Sequence, residues 1–92
     1  MDREIFVKLV VPTLKQTIRN KGFNPVILLG RPDGITILKG RGANSEQDFH
    51  KAVTEVLKYY NIPFTDKHDN VYDYCYFKIN CKEVELKEIY DD

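Results

Sequence analysis

The segment that most constrains this fold is residues 45–60, because its apolar residues repeat with the period of an α-helix. They recur at intervals of three and four residues, which places all of them on one stripe: Phe49, Ala52, Val53, Val56, Leu57 and Tyr60. Asn44 or Ser45 can cap the start of this helix, and Asn61 and Pro63 indicate its end. We therefore predict an amphipathic helix that needs an apolar surface to pack on.

Residues 2–21 carry two competing patterns. Val7, Leu9 and Val11 alternate as in a strand, whereas a helical spacing links a different set: Val7, Val11, Leu14 and Ile18. Pro12 opposes an uninterrupted helix, because proline removes one backbone hydrogen bond and its ring clashes with the carbonyl four residues earlier. We favour one kinked helix, and the alternative is a strand followed by a short helix.

The segment between the two predicted helices indicates a β-hairpin. Residues 25–29 and 35–38 are apolar and rich in β-branched side chains, which favours two strands. Between them, Pro32 fixes φ and Gly34 permits a positive φ, so residues 30–34 are expected to form the turn.

The last third of the chain predicts a second hairpin. Residues 65–70 are polar and are expected to form a loop, and residues 71–79 alternate as in a strand. We expect a turn at residues 80–82 and a return strand at 83–90, with a short helix capped by Asn80 as the alternative for that last segment.

These elements predict an α+β two-layer sandwich in the order α-β-β-α-β-β. The natural packing is a four-stranded antiparallel sheet with both helices on one face. Ninety-two residues suit a single compact domain spanning 1–92. The other face of the sheet would then meet solvent or a partner.

Composition favours a cytoplasmic protein without a membrane span. The apolar fraction is 42% and the charged fraction 30%, and every apolar run is far shorter than the ~20 residues of a membrane helix. The first residues include acids, which a secretory signal peptide lacks. The net charge is zero, so strong binding to nucleic acid through bulk charge is not expected.

The charges are nevertheless unevenly distributed along the chain. Residues 1–46 contain eight Lys or Arg and four Asp or Glu, whereas residues 47–92 contain six and ten. The simplest interpretation is that the two halves attract each other within the fold.

The most informative candidate site is the alternating series Tyr72, Tyr74 and Tyr76. This spacing places three phenol rings on one face of a strand, opposite Cys75 and Phe77. Tyrosine is enriched at protein interfaces because it combines a large apolar ring with a polar tip. We interpret the row as an exposed protein-binding face and as a candidate surface for a homodimer.

Basic residues supply the alternative hypotheses. Arg31, Lys39 and Arg41 are expected to form a basic contact patch that joins the tyrosines in binding a partner. The same patch could serve a nucleic-acid-binding regulator together with bases of the first helix: Lys15, Arg19 and Lys21. A third hypothesis is a small anionic ligand held by the glycine-rich loop at 40–45, ahead of a helix N-terminus.

The sequence contains no catalytic or metal-binding signature. His50 and His68 lack the spacing of a known histidine motif. Cys75 and Cys81 lack a second ligand pair, and a disulfide between them is conceivable only if they lie on opposite strands. We therefore expect no enzyme activity and no cofactor, and the leading hypothesis is a small inhibitor or adaptor, of the size seen among viral accessory proteins.

Overall fold

A computed structural model, which describes residues 1–69 and 71–84, shows two helices on one face of a four-stranded antiparallel sheet. The elements follow the predicted order α-β-β-α-β-β. Helix α1 lies within residues 3–20 and helix α2 spans Glu46–Tyr59. The strands are β1 (Pro25–Leu28), β2 (Gly34–Lys39), β3 (Thr65–Asp69) and β4 (Tyr74–Asn80).

Helix α1 is one helix interrupted by a π-helical segment. Two α-helical segments, Arg3–Ile5 and Val11–Asn20, flank five π-helical residues, Phe6–Val10. The wider π turn directly precedes Pro12, so the missing N–H of the proline falls in the first turn of the second α-helical segment. The predicted helix is thus confirmed over residues 3–20, with a π-helical segment where a kink was expected, and the strand-plus-helix alternative is wrong.

Helix α2 begins and ends as the sequence predicts. Of the two candidate caps, Ser45 fills the position, and its hydroxyl oxygen accepts a hydrogen bond of 3.0 Å from the backbone N–H of Asp48. Asn61 follows the helix with a φ of 56°, the left-handed conformation that ends many helices. Most of the predicted stripe is fully buried, and Tyr60 is half-buried.

The sheet has the strand order β1-β2-β4-β3, so the two central strands come from different halves of the chain. The predicted first hairpin is confirmed, but the fourth strand is β3, in the segment that was predicted to be a loop. A short 3₁₀ turn at Cys81–Glu83, capped by the Asn80 side chain, directly follows β4. The return strand predicted at 83–90 falls mostly on residues 85–90, which lie outside the described residues; Glu83 is in the 3₁₀ turn and Val84 follows it.

The core lies between the helices and the inner face of the sheet. This inner face carries fully buried side chains from the two central strands: Ile35, Ile37, Cys75, Phe77 and Ile79. Phe77 makes edge-to-face contacts with Phe49 of α2 at 6.4 Å and with Phe64 at 5.7 Å. These aromatic contacts fix α2 above β4, and the alternate residues of each strand consequently point outward.

Candidate partner-binding face

The surface opposite the helices, here called the outer face, is built by the register of the four strands. Directly opposed residues in antiparallel strands share a face, so the pairing defines two rows across the sheet. One row is Val26, Leu38, Tyr76 and Lys67, and the other is Leu28, Thr36, Lys78 and Thr65.

Aromatic and apolar side chains form the centre of the outer face. The rings of Tyr74 and Tyr76 lie 5.9 Å apart, and the Lys78 ammonium nitrogen lies 5.0 Å from the centre of the Tyr76 ring. Val26, Leu28 and Tyr74 are 39%, 45% and 44% exposed, respectively. Neighbouring exposed apolar groups of this kind are typical of interaction surfaces.

Tyr72 does not lie on the outer face beside Tyr74 and Tyr76, although the alternating spacing predicts that it should. The strand begins at Tyr74, and Tyr72 lies in the turn between β3 and β4, where 80% of it is exposed. Two features set the turn: Asp69 accepts hydrogen bonds from the backbone N–H groups of Val71 and Tyr72, and Asp73 has a φ of 49°. The predicted strand start at residue 71 is therefore wrong, because the Asp69 side chain and the left-handed Asp73 close a turn there.

The outer face is apolar at one side and cationic at the other. β1 and β2 contribute Val26, Leu28 and Leu38, whereas β3 and β4 contribute Lys67 and Lys78. Asp69 shares this face, but its carboxylate already accepts the two turn hydrogen bonds. A partner that fits this surface would bring apolar side chains beside carboxylates.

The basic residues predicted from the sequence are not brought together. Lys39 donates hydrogen bonds to the carbonyls of Gly40 and Gly42, at 3.2 and 3.3 Å, and so fixes its own loop. Arg41 is exposed beyond that end of β2. Arg31 lies beyond the other end, with its Nε atom 3.6 Å from an Asp33 carboxylate oxygen.

Arg31 instead approaches the cationic side of the outer face. It lines a groove of about 200 Å³ together with Lys78 and Glu83.

The other two basic or anion-binding sites predicted from the sequence are also not assembled as expected. The bases of α1 are spread along the helix, and the Lys21 amine lies 3.8 Å from a carboxylate oxygen of Glu55 on α2. The anion site proposed at residues 40–45 has one of its helix N-terminal donors, the Asp48 N–H, occupied by Ser45.

The structure also assembles a histidine cluster that the sequence analysis missed. The rings of His50 and His68 stack at 5.1 Å, and His50 also stacks on Phe77 at 5.1 Å. The His50 Nε2 atom lies 2.5 Å from a carboxylate oxygen of Asp66. The two residues from β3, Asp66 and His68, are separated by one position, a signal that becomes visible only once this segment is recognised as a strand.

Cys75 lies beside this cluster as a protonated thiol. Its sulfur donates to a carboxylate oxygen of Glu46 at 3.2 Å. Burial, followed by this hydrogen bond and the Glu46 charge, raises the pKa of Cys75 to about 12. A thiol that remains protonated at neutral pH is a poor nucleophile, so the cluster does not favour cysteine catalysis.

Neither a metal site nor a disulfide is present within residues 1–69 and 71–84. The described His, Cys, Asp and Glu side chains form no group of three that could hold a metal ion. Cys75 and Cys81 are both free and buried. They are separated by the extended length of β4, roughly 20 Å for six strand residues, which is too far for a disulfide.

Comparisons with protein-family models, curated proteins and solved structures found no match to this chain. Among the helices that the structure describes, none is long and apolar enough to cross a membrane. The function is therefore inferred from the geometry of the outer face.

Proposed function

We propose that this chain is a small non-enzymatic protein-binding module that engages its partner through the outer face. The observation that carries the proposal is the row Val26, Leu38, Tyr76 and Lys67, which crosses all four strands on the side away from the helices. By covering the partner's own contact surface, such a module acts as an inhibitor or an adaptor.

The chemistry of the face specifies the class of partner. Val26, Leu28 and Leu38 match apolar side chains, and Tyr74 and Tyr76 supply the large rings that carry much of the binding energy at interfaces. Lys67 and Lys78 attract carboxylates and repel basic segments. We therefore expect an acidic, apolar segment of a protein as the ligand.

The proposal is tested with two synthetic peptides of equal length, one alternating Leu with Glu and one alternating Leu with Lys. We expect the acidic peptide alone to shift the backbone NMR signals of β1, β2 and β4. Tyr74→Ala should weaken this binding about tenfold, because it removes an exposed ring from the face. Tyr59→Ala is the matched control, since Tyr59 is 79% exposed on α2, away from the sheet.

Either of two results would overturn the protein-binding proposal. One is equal binding of both peptides, and the other is a set of signal shifts confined to the helices. A single-stranded oligouridine is titrated in parallel, because Tyr74 and Tyr76 beside two lysines also suit base stacking. RNA binding that weakens steeply with salt, without peptide binding, would establish the nucleic-acid alternative instead.

A further inference from the structure

Strand β1 forms one edge of the sheet and carries no charge. Among the described strands it pairs only with β2, and its neighbours on the chain extend an uncharged run over residues 24–30. Val26, Leu28 and Leu29 along this edge are 39–47% exposed. An apolar edge strand of this kind is a template for pairing with another strand.

The opposite edge of the sheet has the reverse character. In β3 four consecutive residues are titratable: Asp66, Lys67, His68 and Asp69. Charged side chains on an edge strand oppose pairing with another sheet. The two edges of the described sheet therefore differ, and β1 is the one that suits pairing with a second strand.

The hydrogen bonding of the first hairpin shows which groups of β1 point outward. The N–H of Gly40 donates to the carbonyl of Asn24 at 2.6 Å, and hydrogen-bonded pairs alternate along an antiparallel ladder. Val26 and Leu28 therefore bond to β2, whereas the N–H and carbonyl of Ile27 face the free edge. The N–H of Cys81 donates to the backbone carbonyl of Asp33 at 2.9 Å, so by the same alternation Ile35 and Ile37 bond to β4 and the residues between them bond to β1.

We propose that β1 pairs antiparallel with β1 of a second copy of this chain, about a twofold axis at Ile27. The two Ile27 residues then exchange both of their backbone hydrogen bonds. Val26 of each copy faces Leu28 of the other on the outer face, so apolar groups meet apolar groups. Such a contact is self-complementary, as a twofold dimer requires.

Pro25 is compatible with this register. The pairing places Pro25 opposite Leu29 of the second copy, and Pro25 has no N–H to donate. The Leu29 carbonyl does not need that donor, because the Arg3 guanidinium already donates to it within the same chain. Pro25, which has no N–H to donate, is therefore paired with a Leu29 carbonyl that already accepts a hydrogen bond.

The dimer joins the two sheets into one of eight strands and makes the two outer faces continuous. This inference does not depend on the proposed function, because it concerns the edge of the sheet and requires no third partner. Dimerisation is measured on the isolated chain, without peptide, so the two proposals can fail separately.

The test is sedimentation over a range of protein concentrations, from micromolar to millimolar. We expect a monomer–dimer equilibrium that Val26→Lys weakens about tenfold or more, because the new charge meets Leu28 of the second copy. Thr65→Lys is the matched control, since it places the same charge on the outer face at the opposite edge of the sheet and should leave the equilibrium unchanged.

Hydrogen exchange of the Ile27 amide gives a second, structure-specific measurement. None of the strands that the structure describes pairs with this N–H, so its exchange should slow as the dimer fraction rises with concentration. A chain that stays monomeric at millimolar concentration would overturn the proposal. So would a dimer that survives Val26→Lys and leaves the Ile27 amide unprotected.

Discussion

At the scale of single residues, Gly34 controls how closely β2 approaches β4. It lies opposite Asn80, and a methyl group added at Gly34 would overlap the backbone carbonyl oxygen of Ile79. Because that obstacle is backbone within a central strand pair, no side-chain rotation can relieve the overlap. The glycine is required here for space.

Gly34→Ala should lower the free energy of unfolding by about 1–3 kcal/mol, the usual range for overpacking. Gly42→Ala should change it little, because a methyl group at Gly42 meets nothing within 4 Å. Urea unfolding of the two variants beside the parent chain measures the difference. Equal unfolding free energies of the two variants would show that β2 and β4 can move slightly apart without destabilising the fold.

Cys75 makes the free energy of unfolding depend on pH in the alkaline range. Its pKa is about 12 in the folded chain and 9.0 ordinarily, so between these values the unfolded chain loses a proton that the folded chain retains. The stabilising contribution is complete below pH 9 and is lost as the pH rises towards 12. Cys75→Ala should therefore flatten the fall in unfolding free energy over this window, as followed by urea titrations at several pH values; unchanged slopes would contradict this.

At the scale of elements, the start of α2 depends on one hydroxyl group. Ser45→Ala removes the acceptor for the Asp48 N–H and should cost about 1 kcal/mol, or a fall in Tm of about 4–8 °C. Ser45→Asp should retain most of the stability, since a carboxylate caps equally well. Thermal unfolding followed by circular dichroism checks both, and an unchanged Tm in the alanine variant would show that the cap contributes nothing.

The two helices could be predicted from the sequence because their buried residues follow a helical period with signals at both ends. Strand β3 could not be, since four of its five residues are titratable and none is apolar. Such a strand is held by its backbone bonds to β4 and by the contact of Asp66 with His50, which no local pattern reveals. The π-helical segment before Pro12 could not be predicted either, because the sequence shows that the proline ring opposes a regular helix but not which distortion accommodates it.

At the scale of the whole molecule, only half of the outer face was predictable. The alternation around Cys75 indicated that Tyr74 and Tyr76 face away from the core, and the structure places both there. Which residues lie beside them depends on the pairing of β4 with β2, and a register between distant strands leaves no mark on local sequence. Val26, Leu38 and Lys67 were therefore absent from the predicted site.

The strand order also has a consequence during synthesis of the chain. β2 is paired on one side by β1, but its other partner, β4, emerges about 40 residues later, or about 2–8 s at usual rates of translation. Throughout that interval, the backbone N–H and carbonyl groups of Ile35 and Ile37 that later bond to β4 have no strand to pair with. We expect this exposed edge, which the finished fold conceals completely, to be where nascent chains are most prone to associate wrongly.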